Sequence, residues 1–210
     1  FAFAPTEAAE NPRDTATAWP EVLFMFRIRH VHAIRTPADR VAMESCQRIL
    51  SAQFVVLGAD EIAALPDVLR DPVSYGFKAV LLVADNARGK VLGFALVLHF
   101  TDLEFSFLDY ISVIPGRTGG GLGAALYERV REEVTAEGSP WLLFECLSDD
   151  PAICHDEASL AQNAARLQFY ERYGARPIVG TAYETPASLR DDCPPYLVLD
   201  LLGAASPLRA

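Results

Sequence analysis

The stretch Val113–Leu126 reads VIPGRTGGGLGAAL and places Gly119, Gly120, Gly121 and Gly123 directly before a helix-like pattern. Bare backbone ahead of a helix leaves N–H groups without an intrahelical acceptor, and the helix dipole adds partial positive charge there. Together they hold a phosphate with no basic side chain. A Cβ would keep the phosphate off the backbone, which is the use of the glycines; Arg117 adds a formal positive charge. So many glycines also cost chain entropy unless the turn requires them. Three readings stand side by side: a ligand-free turn, a dinucleotide site, and a cradle for another phosphate-bearing cofactor. A Walker-type loop is excluded, because no Lys-Ser or Lys-Thr follows the glycines. For a dinucleotide, Gly121-Leu122-Gly123 opens a helix after a strand, and Glu145 lies about twenty residues on, where a ribose-binding acid sits. Against it, Leu126 holds the third glycine position, and the strand before the loop ends an antiparallel meander.

The elements that position this loop follow from periodicity. VLFMFRIR (Val22–Arg29) suits a strand. TPADRVAMESCQRIL suits a helix, with Thr36 as N-cap and Pro37 in the first turn. GADEIAALPDVLRD suits a shorter helical stretch that Pro66 breaks or restarts. AVLLVAD, KVLGFALVLHF and EFSFLDYISVI are apolar runs joined by short turns, which predicts an antiparallel meander. From Leu122 the period becomes four, and Leu122, Leu126, Val130 and Val134 share one helix face. WLLFECL reads as a strand, SLAQNAARLQFYERYG as a helix closed by Gly174, and RPIVGTAY and PYLVLDLL as two final strands. The order β-α-α-β-β-β-α-β-α-β-β predicts an α/β (α+β) fold, a mixed, mostly antiparallel sheet flanked by helices.

Composition narrows the partners. The chain has 210 residues, 51% of them hydrophobic, and a formal charge of -10. Nucleic acid recruits Lys and Arg clusters, so it is not an expected partner; an acidic surface suits either solubility or a cationic substrate. Apolar runs of about ten residues are too short to span a bilayer. Cys46, Cys146, Cys154 and Cys193 form no C-x-x-C pair, which argues against structural zinc and against a disulfide scaffold, and no metal is expected. A reducing cytoplasm is the expected compartment. Residues 1–20 read as a loose tail, 21–203 as one domain and 204–210 as a C-terminal tail. His30 and His32 read as facing solvent or a partner.

Two motifs in this order resemble the GCN5-related N-acetyltransferase (GNAT) superfamily. Pro115, Gly121, Gly123 and Leu126 match its loop P-x-x-[RQ]-x-x-G-x-G-x-x-L, although Thr118 stands at the Arg/Gln position and Arg117 one residue early. NAARLQFYERYGA matches its helix motif N-x-x-A-x-x-x-Y-E-x-x-G-[FA] at Asn163, Tyr170, Glu171, Gly174 and Ala175, with Arg166 in place of the usual Ala. The resemblance covers Ala79 to Leu202 well, and earlier residues by element order alone.

The resemblance implies a GNAT fold that binds acetyl-CoA and transfers its acetyl group directly to a primary amine, either a small cationic amine or a protein amine. It implies a pyrophosphate on residues Arg117, Thr118, Gly119, Gly120, Gly121, Leu122, Gly123 and Ala124. It implies a pantetheine arm in the gap between splayed fourth and fifth strands, against Ile111, Ser112 and Val113. Asn163 and Tyr170 join the cofactor set. A backbone N–H near Ile111–Val113 would polarise the acyl carbonyl. Tyr170 is the expected acid for the leaving thiolate, with Tyr173 as its alternative, and Glu145 the expected base, with Asp109 and Glu104 as alternatives. A carboxylate in an apolar strand is costly unless it is partnered or faces a polar cleft. The loop Ser148–Glu157, with Asp149, Asp150, Asp156 and Glu157, is either a solvated surface or a selector of cationic acceptors. Family members often dimerise through terminal strands, which makes PYLVLDLL a candidate homodimer edge. Two other functions remain open: a nicotinamide-dependent oxidoreductase using the glycine loop, and a non-catalytic CoA-binding regulatory domain.

Overall fold

The computed structural model describes residues 26–31, 33–53, 57–114, 121–152, 154–181, 183 and 193–203. The expected tails 1–20 and 204–210 lie outside the described residues, as do His32 and the start of the first predicted strand. The order is β1 (Phe26–Val31), α1 (Pro37–Gln53), α2 (Ala59–Arg70), α3 (Pro72–Tyr75), β2 (Lys78–Asn86), β3 (Val91–Phe100), β4 (Phe105–Val113), α4 (Leu122–Ala136), β5 (Leu142–Leu147), α5 (Glu157–Glu171), β6 (Arg176–Ile178) and β7 (Pro195–Asp200). Seven strands form one sheet in the order β1-β2-β3-β4-β5-β7-β6. Every neighbouring pair is antiparallel except β4 and β5, which are parallel. The mixed, mostly antiparallel sheet expected from the sequence is therefore the observed one.

Each face of the sheet has its own core. Val80, Leu82, Ala95 and Leu108 meet α4 and α5 on one side; Leu81, Val83, Phe94 and Leu96 meet α1 and α2 on the other. The four-residue stripe of α4 is buried as its period requires, with Leu126, Val130 and Val134 at 0% exposure. Thr36 and Asp39 cap α1 reciprocally: the Asp39 N–H donates to Thr36 Oγ1 at 3.1 Å, and the Thr36 N–H donates to Asp39 Oδ2 at 3.0 Å.

Three sequence expectations need correction. Pro66 does not break α2, which runs unbroken to Arg70. A proline leaves the carbonyl four residues earlier without its donor, and here Gln47 Nε2 donates to that Ile62 carbonyl at 2.9 Å. PYLVLDLL is not a sheet edge: β7 is paired with β5 along one side and with β6 at Leu197–Leu199 on the other, so among the described residues the edges are β1 and β6. The cysteines are not all thiols either. Cys154 and Cys193 form a disulfide across 39 residues, because the loop after β5 and the segment entering β7 meet at one end of the sheet. Linear spacing carries no trace of that meeting.

Gly93 is where β3, β4 and α4 come closest. A Cβ there would lie 2.7 Å from the Ser112 carbonyl oxygen and 3.1 Å from Leu126 Cδ1. The first of these is backbone held in the β3–β4 pairing and cannot swing aside. Gly93→Ala is expected to lose about 1–3 kcal/mol, the usual cost of overpacking, measured as a lower urea midpoint with unchanged slope.

Candidate active site

β4 and β5 start as a parallel pair and then part. Their pairing covers Ser106↔Leu142, Phe107↔Leu143 and Leu108↔Phe144 and goes no further. The parting coincides with a bulge on β4: Leu96 faces Tyr110 while Val97 faces Leu108, so Asp109 is the extra residue. A bulge bends its strand and shifts the alternation by one. Leu108 and Ile111 therefore share the α4 face, whereas Tyr110 turns to the α2 face. The Ile114 N–H donates to the Leu92 carbonyl at 2.9 Å. By the alternation of an antiparallel ladder, Ile111 and Val113 then direct their N–H and C=O groups away from β3, into the gap. No described strand occupies that gap beyond Leu108.

The gap has an electropositive end. Gly121 is the N-cap of α4, with φ 76° and no side-chain cap. The left-handed conformation explains glycine here, and the uncapped first turn presents the N–H groups of Leu122, Gly123 and Ala124. A left-handed glycine cap followed by first-turn N–H groups suits a phosphate-bearing group. Arg117, Thr118, Gly119 and Gly120 lie outside the described residues.

The opposite wall is acidic. Asp109 lines a cavity of 150 Å³ together with Glu61 and Tyr110. Burial raises the Asp109 carboxyl from 3.8 to about 6, with the negative charges of Glu61 and Glu145 adding to the rise. Tyr110 donates to Glu61 Oε1 at 3.1 Å. Glu145 is half-buried on β5 and accepts a hydrogen bond from the Tyr183 hydroxyl. Asp109 and Glu145 thus stand on the two strands that separate, both near the parting. Glu104 does not join them. It is the left-handed residue (φ 56°) that ends the 3-10 turn before β4, five residues and roughly 16 Å of strand from Asp109.

Tyr170 is 5% exposed, its ring 4.4 Å from Phe144 and 4.9 Å from Tyr127. Burial pushes its phenol well above the usual range; Cys146 pushes in the same direction and Arg166 opposes it. Tyr173 points elsewhere, donating to Glu128 Oε1 at 3.4 Å. Asn163 is fully buried and ties α5 to the β5 exit, its Nδ2 donating to the Ser148 carbonyl at 2.9 Å. Arg166 donates to Asn163 Oδ1 at 3.3 Å and to Gln162 Oε1 at 2.8 Å. In the acidic loop, Asp150 and Asp156 are used locally: the Ala152 N–H donates to Asp150 Oδ1 at 2.8 Å, and Ser159 Oγ donates to Asp156 Oδ2.

No family profile and no curated protein sequence matches this chain. Solved structures do. An aminoglycoside 6'-N-acetyltransferase in complex with coenzyme A superposes with a TM-score of 0.63 at 13% identity, over 86% of this chain and 99% of that one. A Desulfovibrio desulfuricans protein ascribed to the GNAT family of acetyltransferases gives 0.59 at 18% identity, over 85% and 99%. The chain has the GNAT fold. Tetrahymena GCN5, at 0.57 and 12% identity over 87% and 98%, shares it. Within this GNAT fold the parting of β4 and β5, expected from the motif resemblance, is the feature that opens a cleft through the sheet.

Three residues of the cleft wall have no signal in the sequence. Gln53, the last residue of α1, donates through Nε2 to the Val113 carbonyl at 2.9 Å, and Ser112 Oγ donates to its Oε1. Glu61 comes from α2 and Tyr183 from the segment after β6. Each reaches the cleft from at least 38 residues away, and none belongs to a motif.

Proposed function

We propose that this protein is an N-acetyltransferase that uses acetyl-CoA and a primary amine. The observation that carries the proposal is the gap beyond Leu108 and Phe144, with an uncapped helix N-terminus at one end and a carboxylate of raised pKa at its mouth. When bound, acetyl-CoA supplies a thioester, and the acyl carbon gains its bond to the amine nitrogen as its bond to sulfur breaks. The first-turn N–H groups from Leu122 to Ala124 hold the pyrophosphate, joined by the residues from Arg117 to Gly121. The gap-facing backbone of Ile111 and Val113 holds the pantetheine arm and polarises the acyl carbonyl. Asp109 takes the proton released by the amine, with Glu145 as the alternative base across the gap, and Tyr170 gives a proton to the departing sulfur. Glu61, Asp109 and Glu145 together favour a cationic acceptor, a small amine or a lysine-like protein amine. We place this activity in one domain, 21–203, of a protein that is a candidate homodimer.

Calorimetric titration with acetyl-CoA, NADH and NADPH tests the cofactor directly. Micromolar binding of acetyl-CoA alone is the expected result. Binding of a nicotinamide cofactor without acetyl-CoA would move Glu145 from proton transfer to ribose recognition and overturn the proposal.

A further inference from the structure

A second cluster of chemically capable side chains lies at the other end of α4, about 22 Å of helix from Leu122 at 1.5 Å per residue. His99 of β3, Glu133 of α4 and the α4 C-cap Glu137 each offer a ligand atom, all within 4.8 Å of one another. Three observations single this cluster out. His99 is 1% exposed, and its Nε2 is buried without a hydrogen-bond partner. Such a group costs free energy unless something satisfies it. Its other ring nitrogen, Nδ1, is 2.8 Å from Ser106 Oγ, its cross-strand neighbour. With Nδ1–H donating to that hydroxyl, Nε2 keeps its lone pair for a ligand, the arrangement by which a metal-bound imidazole is oriented. Finally, α4 has no basic residue in its last turn and ends on acids, against its own dipole, and Lys78 answers Glu137 alone.

We propose that His99, Glu133 and Glu137 bind a first-row divalent transition ion, zinc foremost, with solvent completing the coordination. One nitrogen and two carboxylate donors suit zinc better than calcium or magnesium, which take oxygen alone. A tetrahedral zinc holds its donors roughly 3.3 Å apart, so small rotations of the two glutamates close the set. Each carboxylate already has a neighbour on one oxygen: Lys78 Nζ is 2.6 Å from Glu137 Oε2, and His30 Nε2 is 3.0 Å from Glu133 Oε2, with Arg129 at 3.9 Å from that oxygen and 2.9 Å from the His30 nitrogen. These flank the site and leave each acid a second oxygen to offer. A pocket of 370 Å³ lined by His99, Ser106 and Glu137 gives the ion a way in. The ion would staple the end of α4 to β3, away from the cleft.

The test uses the untagged full chain stripped with chelator, then titrated with cobalt(II) chloride and zinc chloride. Expected are visible cobalt d–d bands that zinc abolishes, and a Tm that rises with zinc concentration but not with magnesium. Glu137→Gln, at a partly exposed helix end, should keep the fold and weaken zinc by about 100-fold; His99→Asn should abolish the cobalt bands. If wild type shows neither bands nor a Tm shift at millimolar metal, or if Glu137→Gln responds as wild type does, the proposal is overturned and the pocket holds water.

Discussion

Asp109→Asn is expected to lower kcat/KM by about 10²- to 10⁴-fold, the range in which a positioned base contributes. The wild-type pH–rate profile should carry an acidic limb near the Asp109 value of about 6. That limb rises with pH, because only the carboxylate accepts a proton, and it should vanish in the variant. Stability should move the other way. The folded-state pKa is raised above its unfolded value of 3.8, so the stability tied to the protonated acid is full below that value and is lost as pH rises through about 6. Asn cannot ionise, and Asp109→Asn should melt higher than wild type at pH 8. A variant both less active and less stable at pH 8 would mark Asp109 as structural. Glu145→Gln is the control: a larger loss there, with the limb near 6 intact in Asp109→Asn, would transfer the base role to Glu145.

Tyr170→Phe is expected to lower kcat by about 10²-fold or more while acetyl-CoA affinity, measured by calorimetry, changes less than about threefold. The phenol lies in an aromatic cluster with Phe144, Tyr127 and Phe169, and Phe preserves that packing. Its pKa is pushed upward by burial, so it keeps its proton at any working pH and contributes no limb near 6. The acidic limb should therefore survive in Tyr170→Phe, at lower amplitude. Unchanged turnover would return Tyr170 to the core as a packing residue, and a parallel loss of acetyl-CoA affinity would make its role binding.

Local physics made much of this protein legible from its residues. The four-residue period of Leu122, Leu126, Val130 and Val134 fixes the buried face of α4, because an amphipathic helix has one way to hide that stripe. Thr36 and Pro37 mark the start of α1, since an N-cap hydroxyl and a proline in the first turn answer donors that helix geometry leaves open. Gly121 sits at a left-handed N-cap that a side chain would strain. The loop and helix motifs added the expectation of a split between β4 and β5, which the fold bears out. Other features exist only once distant segments meet. Pro66 stays inside α2 because Gln47, on another helix, satisfies the carbonyl it orphans. Asp109 carries a raised pKa because a bulge places it beside Glu61 and Glu145 in a desolvated cavity. Cys154 finds Cys193, and His99 finds Glu133 and Glu137, across 30 or more residues. Helix and strand periods are set by neighbours along the chain. Desolvation, pairing and shared ligands are set by neighbours in space, which no spacing along the chain encodes.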